Sequence, residues 1–291
     1  MQARVLIEGV NFAEGLRWRD GRFWYSDFYQ HKVLSFGADA VPRIEAEIDD
    51  QPSGLGWLPD GRLLMVAMLG RKLLRREHDG RIVEHADLSG LIPDANDMVV
   101  DSEGRAYVGS IGFDLDAYVE RHGFEGLFGD PGPPTAPIVM VETSGAARVV
   151  ADGLKFPNGM AIVGDRLIVA QSLGFGLVAF DRTADGSLAG RRDWASFPPA
   201  NGIVAPDGIY ADGEGGVWIA NATAPEVIRV AEGGRILDRV ATSQIAFSCA
   251  LGGADNRDLL IATAPTPNTD ALKAQPTGRL EMARVPAPRG A

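Results

Sequence analysis

A short unit recurs six times along this 291-residue chain, each copy reading as an apolar strand, a tight turn and a second apolar strand. The first runs Glu14-Gly15-Leu16-Arg17-Trp18 to Asp20-Gly21 and on to Phe23-Trp24-Tyr25. The second runs Ser53-Gly54-Leu55 to Asp60-Gly61 and Leu63-Leu64-Met65-Val66. Later copies begin at Asn96, Asn158 and Asp207 and turn at Glu103, Asp165 and Glu214; the last and weakest begins at Ser248-Cys249 and turns at Asp255. The turn markers are 40, 43, 62, 49 and 41 residues apart. Such periods belong to propeller blades or helical arrays. The short β-branched and aromatic runs, without helical periodicity, decide for blades.

Each unit can supply four strands. The second is read as 54–58, 62–67, 71–76 and 81–86, and the fifth as 208–212, 216–220, 225–230 and 234–240. The sixth offers only 249–253, 258–262 and 279–285. The segment Ala3–Gly9 has no partner of its own and supplies the missing strand. Pairing it with the last unit closes the ring and removes its open edges. The expectation is an all-β, six-bladed β-propeller, closed by the N-terminal strand against the last blade, in a single domain over residues 1–291. The Asp-Gly turns then lie at the bottom and the leading polar residues at the top, beside the axis. Two long top loops, 111–136 and 263–278, are candidate lids.

Composition narrows the function. Gly 36 and Pro 18 suit many turns, and a net charge of −11 with no basic run argues against nucleic acid. One cysteine, Cys249, excludes an internal disulfide and suits a reducing compartment. Neither a signal peptide nor an apolar run of membrane-spanning length is visible, so a cytoplasmic protein with no membrane partner is expected. Nothing in the sequence sets the oligomeric state.

A shared phase in the repeat gathers Glu14, Ser53, Asn96, Asn158, Asp207 and Ser248-Cys249 at one end of a narrow channel. Two carboxylates there would repel each other and lose hydration. One divalent cation offsets both penalties, with amide oxygens of Asn96 and Asn158 as neutral ligands. An all-oxygen set suits Ca²⁺, Mg²⁺ or Mn²⁺. Zinc normally recruits His or Cys, and none of His31, His78, His85 or His122 leads a unit. Considered one at a time, Asn158-Gly159 and Asp207-Gly208 also read as turn dipeptides. Asp101, Asp181 and Asp185 read as turn or surface residues. Trp18, Trp24, Trp57 and Trp218 read as blade packing, and Trp194 as either packing or outer surface.

The pattern resembles the senescence marker protein/gluconolactonase (regucalcin) family. The resemblance is carried by Glu14-Gly15 before a Trp, Asn96-Asp97, Phe156-Pro157-Asn158-Gly159-Met160, Pro206-Asp207-Gly208 ahead of Trp218, and the segment from Cys249 to Asp255, in the family's order. It implies a propeller with one divalent metal near the axis, held by Glu14, Asn158 and Asp207, with Ca²⁺ first and Mg²⁺ or Mn²⁺ next. It implies Asp207 as general base and Asn96 as a substrate contact. Asp94 stands where sugar-lactonase members carry an Arg that grips hydroxyls, and Asp114 where they carry a Glu near substrate. Leu16 replaces a frequent Pro. The change at Asp94 leaves the metal ligands in place but removes a grip on an aldonolactone.

The reading is therefore a metal-dependent hydrolase of a lactone, acting on a small molecule. Its rivals are a phosphotriesterase or other ester hydrolase on the same cation, a metal-stabilised binding propeller without catalysis, and a lyase or synthase on a similar scaffold.

Overall fold

At each turn marker, the marker itself or its sequence neighbour adopts left-handed backbone. Asp20 and Gly21 have φ of 51° and 73°, as a two-residue hairpin turn between twisted strands requires. In the weakest copy Asn256 takes the left-handed place, at φ 60°, which Asn tolerates better than most side chains. The computed structural model describes residues 1–129, 131–198 and 202–290. Six four-stranded antiparallel sheets stand in a ring and form a six-bladed β-propeller.

The inner strands are Ala13–Arg19, Pro52–Trp57, Met98–Val100, Pro157–Val163, Pro206–Ala211 and Ile245–Gly252. Each packs on the next, and the sixth packs on the first. The second and fifth units have the expected strands to within two residues. The sixth inner strand begins at Ile245, four residues before expectation, so Ser248 and Cys249 fall inside it. Closure is as expected: Arg4–Val10 pairs antiparallel with Gly278–Arg284, with Arg4 opposite Met282 and Val10 opposite Gly278. The N-terminus also grips the fifth blade, where Ala3 N–H donates to Ala241 O at 2.9 Å.

Apolar side chains fill the junctions between blades. Val33 and Ala46 of the first blade meet Leu55, Leu63 and Met65 of the second. Trp194 is buried between the fourth and fifth blades, which settles its place as packing. Trp24 and Trp57 pack edge to face at 5.3 Å, and Trp218 is fully buried. Asp181 and Asp185 are exposed. Of the two readings for Asp101 the turn holds: its carbonyl accepts from Gly104 N–H at 3.0 Å, and its side chain is buried, with Arg105 at 2.8 Å and Arg182 at 3.1 Å. A charge removed from water needs such partners.

Both long loops carry helices. The first holds α1 (Leu115–His122) and a 3₁₀ turn, Phe124–Phe128, with Asp114 accepting from Ala117 N–H at the start of α1; residue 130 of this loop lies outside the described residues. In the other, the first two residues complete the strand Asp258–Ala264, and α2 (Thr269–Ala274) follows. The helices meet above the axis, where Thr269 Oγ1 donates to Asp116 Oδ1 at 3.0 Å. Among the described residues, no helix is long and apolar enough to cross a membrane.

Candidate functional site

Apart from Asn96, which stands two residues before Met98–Val100, the leading residues are strand residues, not turn dipeptides. Asn158-Gly159 and Asp207-Gly208 lie within inner strands, and Glu14, Ser53, Asn96, Asn158, Asp207 and Ser248 are all buried. The glycines serve close approach between blades. A Cβ on Gly159 would stand 2.5 Å from both Asp207 O and Ile209 N of the next inner strand. A Cβ on Gly15 would stand 2.5 Å from Ser53 O, and that residue has φ of +59°. Absence of a side chain at these positions lets the polar residues crowd the axis.

A relay of hydrogen bonds runs around the ring and fixes the amides. Ser53 Oγ donates to Asn96 Oδ1 at 3.3 Å, and Asn96 Nδ2 donates to Asn158 Oδ1 at 3.3 Å. Asn158 Nδ2 donates to Ser172 Oγ at 3.2 Å, and Ser172 Oγ donates to Pro206 O at 2.7 Å. Both amides therefore turn in the same sense about the axis, with an oxygen and an N–H group each held in a defined direction. At the sixth blade Ser248 Oγ accepts from Leu16 N–H at 3.4 Å, and Cys249 Sγ faces Gly208 O and Trp218 O. Burial pushes the Cys249 thiol up, so it stays protonated and does not act as a nucleophile.

The carboxylates divide by partner. Asp97 pairs with Arg17 at 2.9 Å. Arg17 also donates to Leu55 O at 3.0 Å, to Leu16 O at 2.8 Å and to Met98 O, so one guanidinium ties three inner strands together. Glu14 and Asp207 have no ion-pair partner among the described residues. Burial first, then the charges of Asp207 and Asp97, hold the Glu14 carboxyl well above the usual range, against smaller opposing effects from Gly15 N–H and Arg17. Burial and then Asp97 do the same to Asp207, opposed by a hydrogen bond from Asn158.

Glu14, Asn96, Asn158, Asp207 and Ser172 open into one top-face cavity of about 650 Å³, roofed by the two helical loops. Asp94 and Asp114 also reach its wall, but their carboxylates already have local partners. Asp94 accepts from Ser110 Oγ at 3.0 Å, Ile111 N–H at 2.6 Å and Gly112 N–H at 3.3 Å, and burial raises its carboxyl. Asp114 caps α1, accepting from Ala117 N–H at 2.9 Å. Three contributors carry no mark in the repeat phase. Arg17 looks like any charged strand residue, Asp97 follows the leading Asn96 rather than leading its unit, and Ser172 sits in a turn.

A hard divalent cation fits this donor set. Among the described residues two buried carboxylates lack a cationic partner, and the Asn158 amide lines the same cavity. Among the described residues no three His, Cys, Asp or Glu side chains are grouped as a metal site, so a cation here takes amide oxygen as well as the two carboxylates.

Comparison with known proteins agrees with the architecture. The SMP-30/Gluconolactonase/LRE-like region matches residues 12–265. No curated protein sequence matches the chain. Among solved structures, a luciferin-regenerating enzyme superposes with a TM-score of 0.80 at 18% identity, over 98% of this chain and 95% of that one. A calcium-binding protein, regucalcin, from Agrobacterium tumefaciens gives 0.78 at 19% identity, covering 99% and 95%. A gluconolactonase from Xanthomonas campestris gives 0.72 at 22% identity, covering 98% and 90%. Likeness at these identities speaks for the fold.

Proposed function

We propose that this chain, which belongs to the SMP-30/gluconolactonase/LRE-like family, hydrolyses lactones with one divalent cation held by Glu14, Asn158 and Asp207. The observation that carries the reading is the pair Glu14 and Asp207: two buried carboxylates with no counter-ion among the described residues, facing a roofed cavity. The gluconolactonase among the structural relatives supports the reaction class, and the calcium-binding regucalcin supports Ca²⁺ as first choice of cation. When bound, such a cation supplies Lewis-acid polarisation of an ester carbonyl.

The rest is the work of side chains on this chain. Asp207 accepts a proton from the water that attacks the carbonyl carbon. The ring C–O bond then breaks, and the same proton passes to the departing ring oxygen, leaving a hydroxy acid. Asn96, on the cavity floor and held by Ser53, orients the lactone ring. Asp94 and Asp114 hold the roof in place through the bonds they make to loop backbone. The roof excludes bulk water, which strengthens every polar interaction beneath it. One buried cysteine suits a cytoplasmic setting.

The test is a pH-stat assay on a panel of lactones and fluorophosphates, before and after chelation, with Ca²⁺, Mg²⁺ or Mn²⁺ restored separately. Lactone hydrolysis lost on chelation and recovered with a cation supports the reading. Preference for fluorophosphates moves the assignment to phosphotriester hydrolysis, and cation binding without turnover makes the protein a binding propeller.

A further inference from the structure

We infer that the cavity takes lactones bearing a bulky apolar substituent, alkyl or aryl, rather than polyhydroxylated ones. This rests on the hydrolase reading and adds the substrate class.

The polar and apolar groups of the cavity are segregated by depth. The floor is polar, at Glu14, Asn96, Asn158 and Asp207, and Gln51 adds one amide to the wall. Above them the wall is ringed by Phe12, Phe28, Phe113, Phe128, Phe156 and Phe247. These rings come from different blades and from the roof, and they interlock: Phe12 meets Phe28 at 5.2 Å and Phe247 at 4.9 Å. Most polar side chains of the wall are engaged elsewhere. Asp94 and Asp114 bond loop backbone, Asp116 accepts from Thr269, and Thr223 Oγ1 donates to Ile203 O at 2.9 Å. The Lys273 ammonium lies over the Tyr29 ring at 5.6 Å. A polyol entering here would lose its water and find few free partners, and each buried unpaired hydroxyl is unfavourable. The volume, about 650 Å³, is roughly four times the ~150 Å³ that houses a benzene ring in an apolar protein cavity. A lactone ring on the floor therefore leaves room for a large group against the phenylalanines.

Phe156 adds an independent observation. It has φ of 58°, where a bulky residue is strained and glycine is not. Its carbonyl accepts from Ser172 N–H at 3.1 Å, and that bond needs only the backbone. Glycine would serve the backbone better, so the ring is there for what it touches in the cavity.

The experiment measures kcat/KM for δ-hexalactone, δ-octalactone, δ-decalactone and glucono-δ-lactone, and separately the binding of the matching alkyl δ-lactams to chelated protein by calorimetry. The expected result is a rise of about three- to fourfold in kcat/KM per added methylene, with glucono-δ-lactone the poorest substrate. Phe156→Gly should lower kcat/KM for δ-decalactone about tenfold while its melting temperature holds or rises. A flat series, or preference for glucono-δ-lactone, overturns the substrate class and leaves the hydrolase reading standing. Lactam affinity that climbs with chain length, with no lactone turned over, keeps the apolar pocket and overturns hydrolysis. A Phe156→Gly variant that keeps full activity on δ-decalactone overturns the role given to that ring.

Discussion

Arg17 reaches from the first inner strand past the second to pair at 2.9 Å with Asp97, the residue just before the third. It thereby gives Asp97 a counter-ion and leaves Glu14 and Asp207 as two carboxylates near the axis that lack one among the described residues. The propeller's centre is therefore split into a neutralised pair and an uncompensated pair.

Arg17→Ala removes the guanidinium and strands the Asp97 charge, together with three carbonyl contacts. Breaking one side of a buried pair is costly, so a loss of about 3 kcal/mol is expected. Denaturant unfolding should show it as a lower midpoint, and Arg17→Ala/Asp97→Asn should recover part of the loss.

Glu14→Gln and Asp207→Asn should act in opposite directions on stability and on function. In chelated protein each removes a buried charge that burial and neighbouring carboxylates disfavour, so the melting temperature rises by about 2–4 °C. With Ca²⁺ added, the wild type should gain stability by ligand linkage and the variants should not. Both variants should lose lactone hydrolysis. Scanning calorimetry with and without chelator checks the crossover.

The pH dependence has a definite sign. In chelated protein both carboxyls are raised above their ordinary range, so folding favours their protonated forms. The stability they contribute is complete below the ordinary carboxylate range and is lost as pH climbs through the raised values. Chelated wild type should therefore lose stability relative to the doubly neutralised Glu14→Gln/Asp207→Asn as pH rises above the ordinary carboxylate range. Ca²⁺ should abolish or reverse that trend. Melting temperatures of both proteins across the range are the measurement.

Gly159→Ala places a methyl group 2.5 Å from Asp207 O and Ile209 N, so the fourth and fifth inner strands must separate. Overpacking of this kind destabilises by about 1–3 kcal/mol. Because the displaced strand carries Asp207, calcium affinity should fall as well. Titration of the folded variant separates that effect from simple loss of stability.

What the sequence disclosed follows from its physics. Repeats with a fixed turn chemistry reveal blades, because Asp-Gly and Asn in left-handed backbone leave a mark at each hairpin. Ring closure is legible because Ala3–Gly9 reads as a strand without a partner of its own, and Arg4–Val10 takes that place against the last blade. Burial of Glu14, Asn158 and Asp207 beside one cavity followed from phase alone. Arg17 and Ser172 were not legible, because their partners lie across blade boundaries and no periodicity encodes those. The turn at Asp101 is legible in the sequence, but its burial is not, because Arg182 of another blade is brought over it only by the fold. The roof helices were hidden by length: Leu115–His122 and Thr269–Ala274 are too short to show a pattern inside a long loop.

Calcium titration of chelated protein by isothermal calorimetry, run side by side on wild type and Glu14→Gln/Asp207→Asn, tests the central claim most directly. One calcium ion should bind per wild-type chain, and heat of binding should vanish in the double variant. Wild type that takes up no divalent cation, or a double variant that binds as tightly as wild type, would contradict the account.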